Sequence, residues 1–214
     1  MKKIILPLLV FLFAVSTINA QESTVKQIKQ LQIGDKLPTS DIVMKGVNNY
    51  STTLKNEVKE NGLMVVFSCN TCPYVLAWED RYNILASNSE AHKIGFIAIN
   101  SNEAKRSNED SFEAMEKKAK DFDYKFPYVV DKNHVVADAF GATKTPDVFL
   151  FNSDMVLVYK GAIDDNYQDK DNVDHTYVAN AAMNMIHGKE INPETTKAVG
   201  CTIKRLNKVE IITE

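Results

Sequence analysis

Val65-Val66-Phe67-Ser68-Cys69-Asn70-Thr71-Cys72-Pro73-Tyr74 is the stretch on which the reading of this chain turns. Leu63 to Phe67 is a short, continuous apolar run, as expected of a strand buried on both faces. It runs straight into Cys-x-x-Cys. Pro73 follows at once, and proline is tolerated in the first turn of a helix, where its missing N–H costs nothing. Tyr74 to Leu85 is expected as one helix, with Val75, Leu76, Trp78, Tyr82 and Leu85 on its apolar side. The two thiols therefore belong at a strand-to-helix turn, with Cys69 near the helix N-terminus. The positive end of a helix favours thiolate over thiol, and the thiolate is the nucleophile. This layout suits dithiol–disulfide exchange. Cys69 would attack a disulfide, and Cys72, one turn further on, would resolve the mixed disulfide.

The same residues allow other uses. A closed zinc site needs about four ligands. Beyond the pair the chain offers Cys201 as a thiol, while His92, His134, His175 and His187 show no ligand spacing. No structural metal and no organic cofactor is expected. A soft metal such as Cu(I), held by the pair with Cys201 or a histidine, stays as an alternative. Cys201 itself is either a small core thiol or a third redox thiol in a C-terminal loop near the pair. Glu57 and Glu79 are close in sequence to the motif but are expected at the surface, and Trp78 is expected in the core. The five aspartates between Asp164 and Asp174 read as a solvated loop, because no calcium-loop pattern runs through them.

Residues 1–20 have the marks of an export signal. Lys2 and Lys3 precede an apolar run from Ile4 to Val15, too short to span a bilayer comfortably, and cleavage is expected after Ala20. A flexible leader over 21–30 and one domain over 31–214 complete the organisation, so stable membrane insertion after cleavage is not expected. The chain carries 25 Lys and Arg against 28 Asp and Glu, and it has no basic run. That balance argues against nucleic acid as a partner. Three cysteines are too few for a disulfide scaffold.

Further along, short extended pieces are expected near Ile42–Met44 and Tyr50–Leu54, and a buried strand over Lys93–Asn100. A helix over Ser111–Asp121 carries Phe112, Met115 and Ala119 on one side. Phe126–Val130 is the next strand, and a short helix over His134–Phe140 is ended by Gly141. Strands Asp147–Phe151 and Met155–Lys160 flank an Asn152-Ser153-Asp154 turn, and a final helix covers Tyr177–His187. The order describes an α/β fold, with a central mixed sheet flanked by helices.

This order, with Cys69-Asn70-Thr71-Cys72-Pro73 after a central strand and Thr145-Pro146 before a hairpin, resembles the thioredoxin-like superfamily. It is most similar to the exported redoxins of that superfamily, a branch that includes peroxiredoxin-like and TlpA-like thiol–disulfide oxidoreductases. Gly141-Ala142-Thr143-Lys144-Thr145-Pro146, Gly161-Ala162-Ile163-Asp164-Asp165 and Gly200-Cys201-Thr202-Ile203-Lys204 carry the likeness over residues 33–205. The resemblance implies a cis peptide bond before Pro146, and substrate binding along Thr145 and Pro146. It implies an exported protein, with the periplasm as its compartment. Its substrates would be protein or small-molecule disulfides, and a membrane thiol carrier would resupply electrons. A peroxiredoxin-like thiol peroxidase remains an alternative, although Met64 to Ser68 lacks the proline and threonine of a peroxide-binding loop.

Overall fold

The computed structural model describes residues 25–212. The export signal and residues 21–24 of the leader lie outside them. In chain order the strands are β1 (Lys26–Lys29), β2 (Met44–Gly46), β3 (Ser51–Thr52), β4 (Leu63–Ser68), β5 (Gly95–Asn100), β6 (Tyr128–Val130), β7 (Lys144–Thr145), β8 (Asp147–Phe151), β9 (Leu157–Gly161), β10 (Cys201–Thr202) and β11 (Val209–Ile212). The α-helices are α1 (Leu54–Glu57), α2 (Pro73–Ala77), α3 (Glu79–Ala91), α4 (Phe112–Asp121), α5 (Val135–Phe140) and α6 (Tyr177–Ile186).

Seven strands form one mixed sheet in the order β3-β2-β6-β5-β4-β8-β9. Strands β4, β5 and β6 run parallel, and β8 and β9 add an antiparallel edge. Every residue of β4 is buried, which explains the unbroken apolar run. Successive side chains point to opposite faces of a strand. Met64 and Val66 pack with Val75, Trp78 and Tyr82 of the α2–α3 segment and with Val178 of α6. Leu63, Val65 and Phe67 pack on the other side with Leu54 of α1 and Phe140 of α5. Phe67 meets Phe140 edge to face, with ring centroids 5.2 Å apart. The end of β4 is thus held from both sides, and the turn that follows it inherits that rigidity.

Several expectations hold closely. Strand β8 has the expected bounds, α4 begins after a Ser111 cap that accepts the Ala114 N–H, and Gly141 ends α5 in the left-handed region at φ 63°. Three differ. The helix expected over Tyr74–Leu85 breaks at Trp78 (φ −97°, ψ 5°) into α2 and α3. Val75, Trp78, Tyr82 and Leu85 are buried on both sides of that break, so periodicity does not register it, while Leu76, expected on the same apolar side, is exposed. The leader expected to be flexible over 21–30 contains β1, paired in parallel with β11, with Ile28 buried. One apolar residue among polar neighbours is a weak strand signal, and β1 depends on a partner from the other end of the chain. Finally, β10 pairs antiparallel with β7, which brings the C-terminal segment to the Cys-x-x-Cys turn.

Candidate active site

The site is assembled from the end of β4, the start of α2 and the β7–β8 junction. Cys69 and Cys72 are both buried, at 2% and 4% exposure. Asn70 and Thr71 make the turn between them. The helix proper begins at Pro73, with Cys72 as its cap and the Leu76 N–H donating to the Cys72 carbonyl at 3.0 Å. Three residues, Asn70 to Cys72, therefore separate Cys69 from the first helical residue, and Cys72 is the one at the cap. The Thr145–Pro146 peptide bond is cis, as expected. Thr145 touches both sulfurs. Its hydroxyl lies 3.4 Å from Cys69 Sγ, and its carbonyl accepts from the Cys72 thiol at 3.1 Å.

Asn70 is pinned on every polar atom. Its N–H donates to Asp110 Oδ1 at 2.8 Å, and its side-chain amide donates to the Glu109 carbonyl at 2.9 Å. The Tyr128 hydroxyl donates to Asn70 Oδ1 at 2.9 Å, and Lys118 Nζ reaches the Asn70 carbonyl at 3.3 Å. Asp110 is buried and also accepts from the side chains of Asn100 (2.8 Å) and Asn102 (2.9 Å). Lys118 is paired with Glu79, which in turn accepts from the Tyr124 hydroxyl. Buried polar groups satisfied in this way hold a single geometry.

This network escaped the sequence reading. Glu79 is buried, not at the surface, because Lys118 and Tyr124 come to it from α4 and the chain beyond. One signal for it exists in the sequence. Lys118 sits three residues after Met115, within the apolar stripe of α4, where a charge needs a partner. Trp78 is in the core as expected, and its Nε1 donates to Asp164 at 2.7 Å. Asp164 also pairs with Arg81 at 3.2 Å, so this aspartate belongs to the interior rather than to the solvated loop.

The electrostatics divide the thiols. The Cys72 thiol is pulled down to about 4 by the S–H of Cys69, against burial that pushes it up, and then by the S–H of Cys201 and the N–H groups of Val75 and Cys201. Its bond to the Thr145 carbonyl, like burial, favours the protonated form. Cys69 is pushed well above the ordinary thiol range. It holds its proton against the Cys72 sulfur, it is buried, and the Asp110 carboxylate is near. Cys201 is half-buried and pushed up to about 11 by burial and by its bond to Cys72. The proton the two sulfurs share is drawn toward Cys69, a direction that favours Cys72, rather than the expected Cys69, as the attacking thiolate.

Cys69, Cys72, Thr145, Pro146 and Cys201 therefore come together, and Glu57 does not. Among the described residues no group of three or more His, Cys, Asp or Glu side chains converges to hold a metal ion. Among the described residues no helix is long and apolar enough to cross a membrane.

Comparison with known proteins adds to this geometry. The AhpC/TSA family matches residues 33–160. An uncharacterized conserved protein from Geobacillus kaustophilus is similar at a TM-score of 0.74 and 29% identity, over 81% of this chain and 92% of its own. A hypothetical protein from Sinorhizobium meliloti 1021 is similar at 0.74 and 29%, over 82% and 96%. Peroxidoxin BcpB from Mycobacterium tuberculosis shares the fold at a TM-score of 0.56 and 14% identity, over 74% and 98%. No curated protein matches the chain.

Proposed function

Because the chain belongs to the AhpC/TSA family and has the thioredoxin-like redoxin fold, we propose that it is a thiol–disulfide oxidoreductase working through Cys69 and Cys72. The observation that carries this is the pair of buried thiols bridged by Thr145 at the cis-proline junction. The Cys72 thiolate attacks one sulfur of a substrate disulfide. A Cys72–substrate bond forms, and the other substrate sulfur leaves as thiolate. Cys69 then gives up its proton and attacks the Cys72 sulfur. The Cys69–Cys72 disulfide forms, and the second substrate thiolate leaves. The substrate disulfide has been reduced and the pair oxidised; the one proton from Cys69 passes to a product thiolate, and the other product thiolate takes its proton from solvent.

Thr145 is the residue placed to align both sulfurs, and Asp110 acts through Asn70 as a positioning residue. The proposal includes export directed by residues 1–20, with action in the periplasm and electrons resupplied by a membrane thiol carrier. The peroxidase alternative gains no support at the site, because Met64 to Ser68 is β-strand with neither proline nor threonine before Cys69.

The test is insulin disulfide reduction by residues 21–214 with dithiothreitol as donor. Cys72→Ser is expected to abolish it. Cys69→Ser is expected to accumulate a mixed disulfide on Cys72, visible on non-reducing gels. Full activity of Cys72→Ser, or hydrogen peroxide consumption without any insulin reduction, would refute the reading.

A further inference from the structure

We propose that Cys201 is a third member of the redox centre, forming a disulfide with Cys72 that carries oxidation from the buried pair to the protein surface. This rests on the thiol chemistry proposed above and extends it. Cys201 lies directly opposite Thr145 in the β10–β7 pair, and the Thr145 carbonyl is the group that Cys72 Sγ contacts at 3.1 Å. Cys201 also packs against the buried cluster that contains Cys69 and Cys72. Cys72 therefore stands between two thiols and can close a disulfide with either.

The tail is built to hold this position. A Cβ on Gly200 would lie 2.2 Å from the Thr145 carbonyl oxygen, so β10 can lie this close to the cis-proline junction with glycine and not with alanine. Beyond Cys201, the Ile203 N–H donates to the Thr143 carbonyl at 3.0 Å and the Lys204 N–H to Asn102 Oδ1 at 2.8 Å. Arg205 pairs with Asp138 at 2.8 Å. Five consecutive residues are thus tied to elements around the site.

The internal step is an exchange with no net change of oxidation state. Starting from the Cys69–Cys72 disulfide, the Cys201 thiolate attacks the Cys72 sulfur. The Cys201–Cys72 bond forms, the Cys69–Cys72 bond breaks, and Cys69 leaves and takes the proton that Cys201 released. Burial beside Asp110 favours that neutral form of Cys69. An external dithiol then attacks the Cys201 sulfur, which is half-buried where Cys69 and Cys72 are almost wholly covered. Cys72 leaves as thiolate, the role its low proton affinity suits. The second thiol of the reductant attacks its own sulfur on Cys201. The reductant leaves as a disulfide, and Cys201 is a thiol again.

The experiment equilibrates wild type, Cys69→Ser, Cys69→Ala and Cys201→Ser in graded glutathione buffers, then alkylates and maps every cysteine by mass. Circular dichroism confirms that each variant is folded. Wild type is expected to close Cys69–Cys72, with a Cys72–Cys201 fraction after rapid acid quenching. Both Cys69 variants are expected to close Cys72–Cys201 within one chain. Cys201→Ser is expected to be re-reduced by reduced thioredoxin, used as the dithiol probe, at least about tenfold more slowly, since attack on a covered sulfur is slow. Folded Cys69 variants that leave Cys72 and Cys201 both open, while wild type closes its pair, would overturn the third-thiol role. Wild type that never closes Cys69–Cys72 would instead overturn the proposed exchange reaction. Closure of Cys72–Cys201 in that case would still support the pairing argued here.

Discussion

The division of charge between the two buried thiols makes a quantitative prediction about alkylation. Cys72 is held at about 4, against 9.0 for an ordinary thiol. At pH 6 such a group is almost wholly thiolate, whereas an ordinary thiol is about 0.1% ionised, a difference of about a thousandfold in reactive species. A lower proton affinity also weakens the nucleophile. With a Brønsted coefficient of about 0.45, five units reduce intrinsic reactivity by about 200-fold. The net advantage at pH 6 is about fivefold, and it inverts at high pH as ordinary thiols ionise. Burial slows both cysteines, so the shape of the pH profile is the diagnostic quantity rather than the absolute rate. Reduced protein treated with iodoacetamide from pH 4 to pH 10, followed by mass mapping, resolves each site. Cys72 is expected to react at a constant rate from about pH 5 upward. Cys201 is expected to rise toward about 11, and Cys69 to stay slow throughout. A low-pH plateau at Cys69, with Cys72 rising only in alkali, would refute the assignment of charge and restore Cys69 as the attacking group.

Two further predictions concern the surroundings of the pair. Lys118→Met leaves Glu79 buried without its cation, and breaking such a pair costs about 3–5 kcal/mol. For a domain of this size that lowers the melting temperature by roughly 6–20 °C. The double replacement with Glu79→Gln is expected to recover much of the loss, and a cost below about 1 kcal/mol for Lys118→Met would show that the pair is screened by solvent. Asp147 is pushed up to about 7 by burial, with the Thr143 N–H and Lys160 pulling the other way. Its folded value lies above the unfolded one, so the folded state holds the proton more tightly. The stability it contributes is complete below about pH 4, falls as pH rises, and is gone above about pH 7, an effect of at most about 4 kcal/mol. Asp147→Asn is expected to flatten urea midpoints across that window, and an unchanged slope would show that Asp147 does not hold its proton on folding.

The network around Asn70 connects fold to chemistry. Asn70 is one of the two residues between the cysteines, and its hydrogen bonds run to the 109–110 turn, β6 and α4. Movement of any of these displaces the turn that carries both thiols. A dithiol that must alternate between open and closed states needs its sulfurs held within reach of each other. Here the restraint comes from neutral and charged groups in the interior, not from the motif itself.

What the sequence determined by itself was the part set by local chemistry and by short-range periodicity. The apolar run Leu63–Phe67 could only be a strand buried on both faces, and Cys69-Asn70-Thr71-Cys72-Pro73 placed a dithiol at the turn that follows it. Gly141 marked a helix end, and Asn152-Ser153-Asp154 marked a hairpin, because turn residues act within a few positions of themselves. Tertiary structure decided everything that joins distant residues. Asp110 and Lys118 lie 40 and 48 positions from Asn70, and nothing in their local patterns says that they meet it. Cys201 lies opposite Thr145 through a two-residue pairing too short to carry a strand signal. The direction in which the shared proton is drawn between Cys69 and Cys72 followed from burial and from the donors around each sulfur. A proton equilibrium depends on the fields of groups close in space, and sequence distance does not report them.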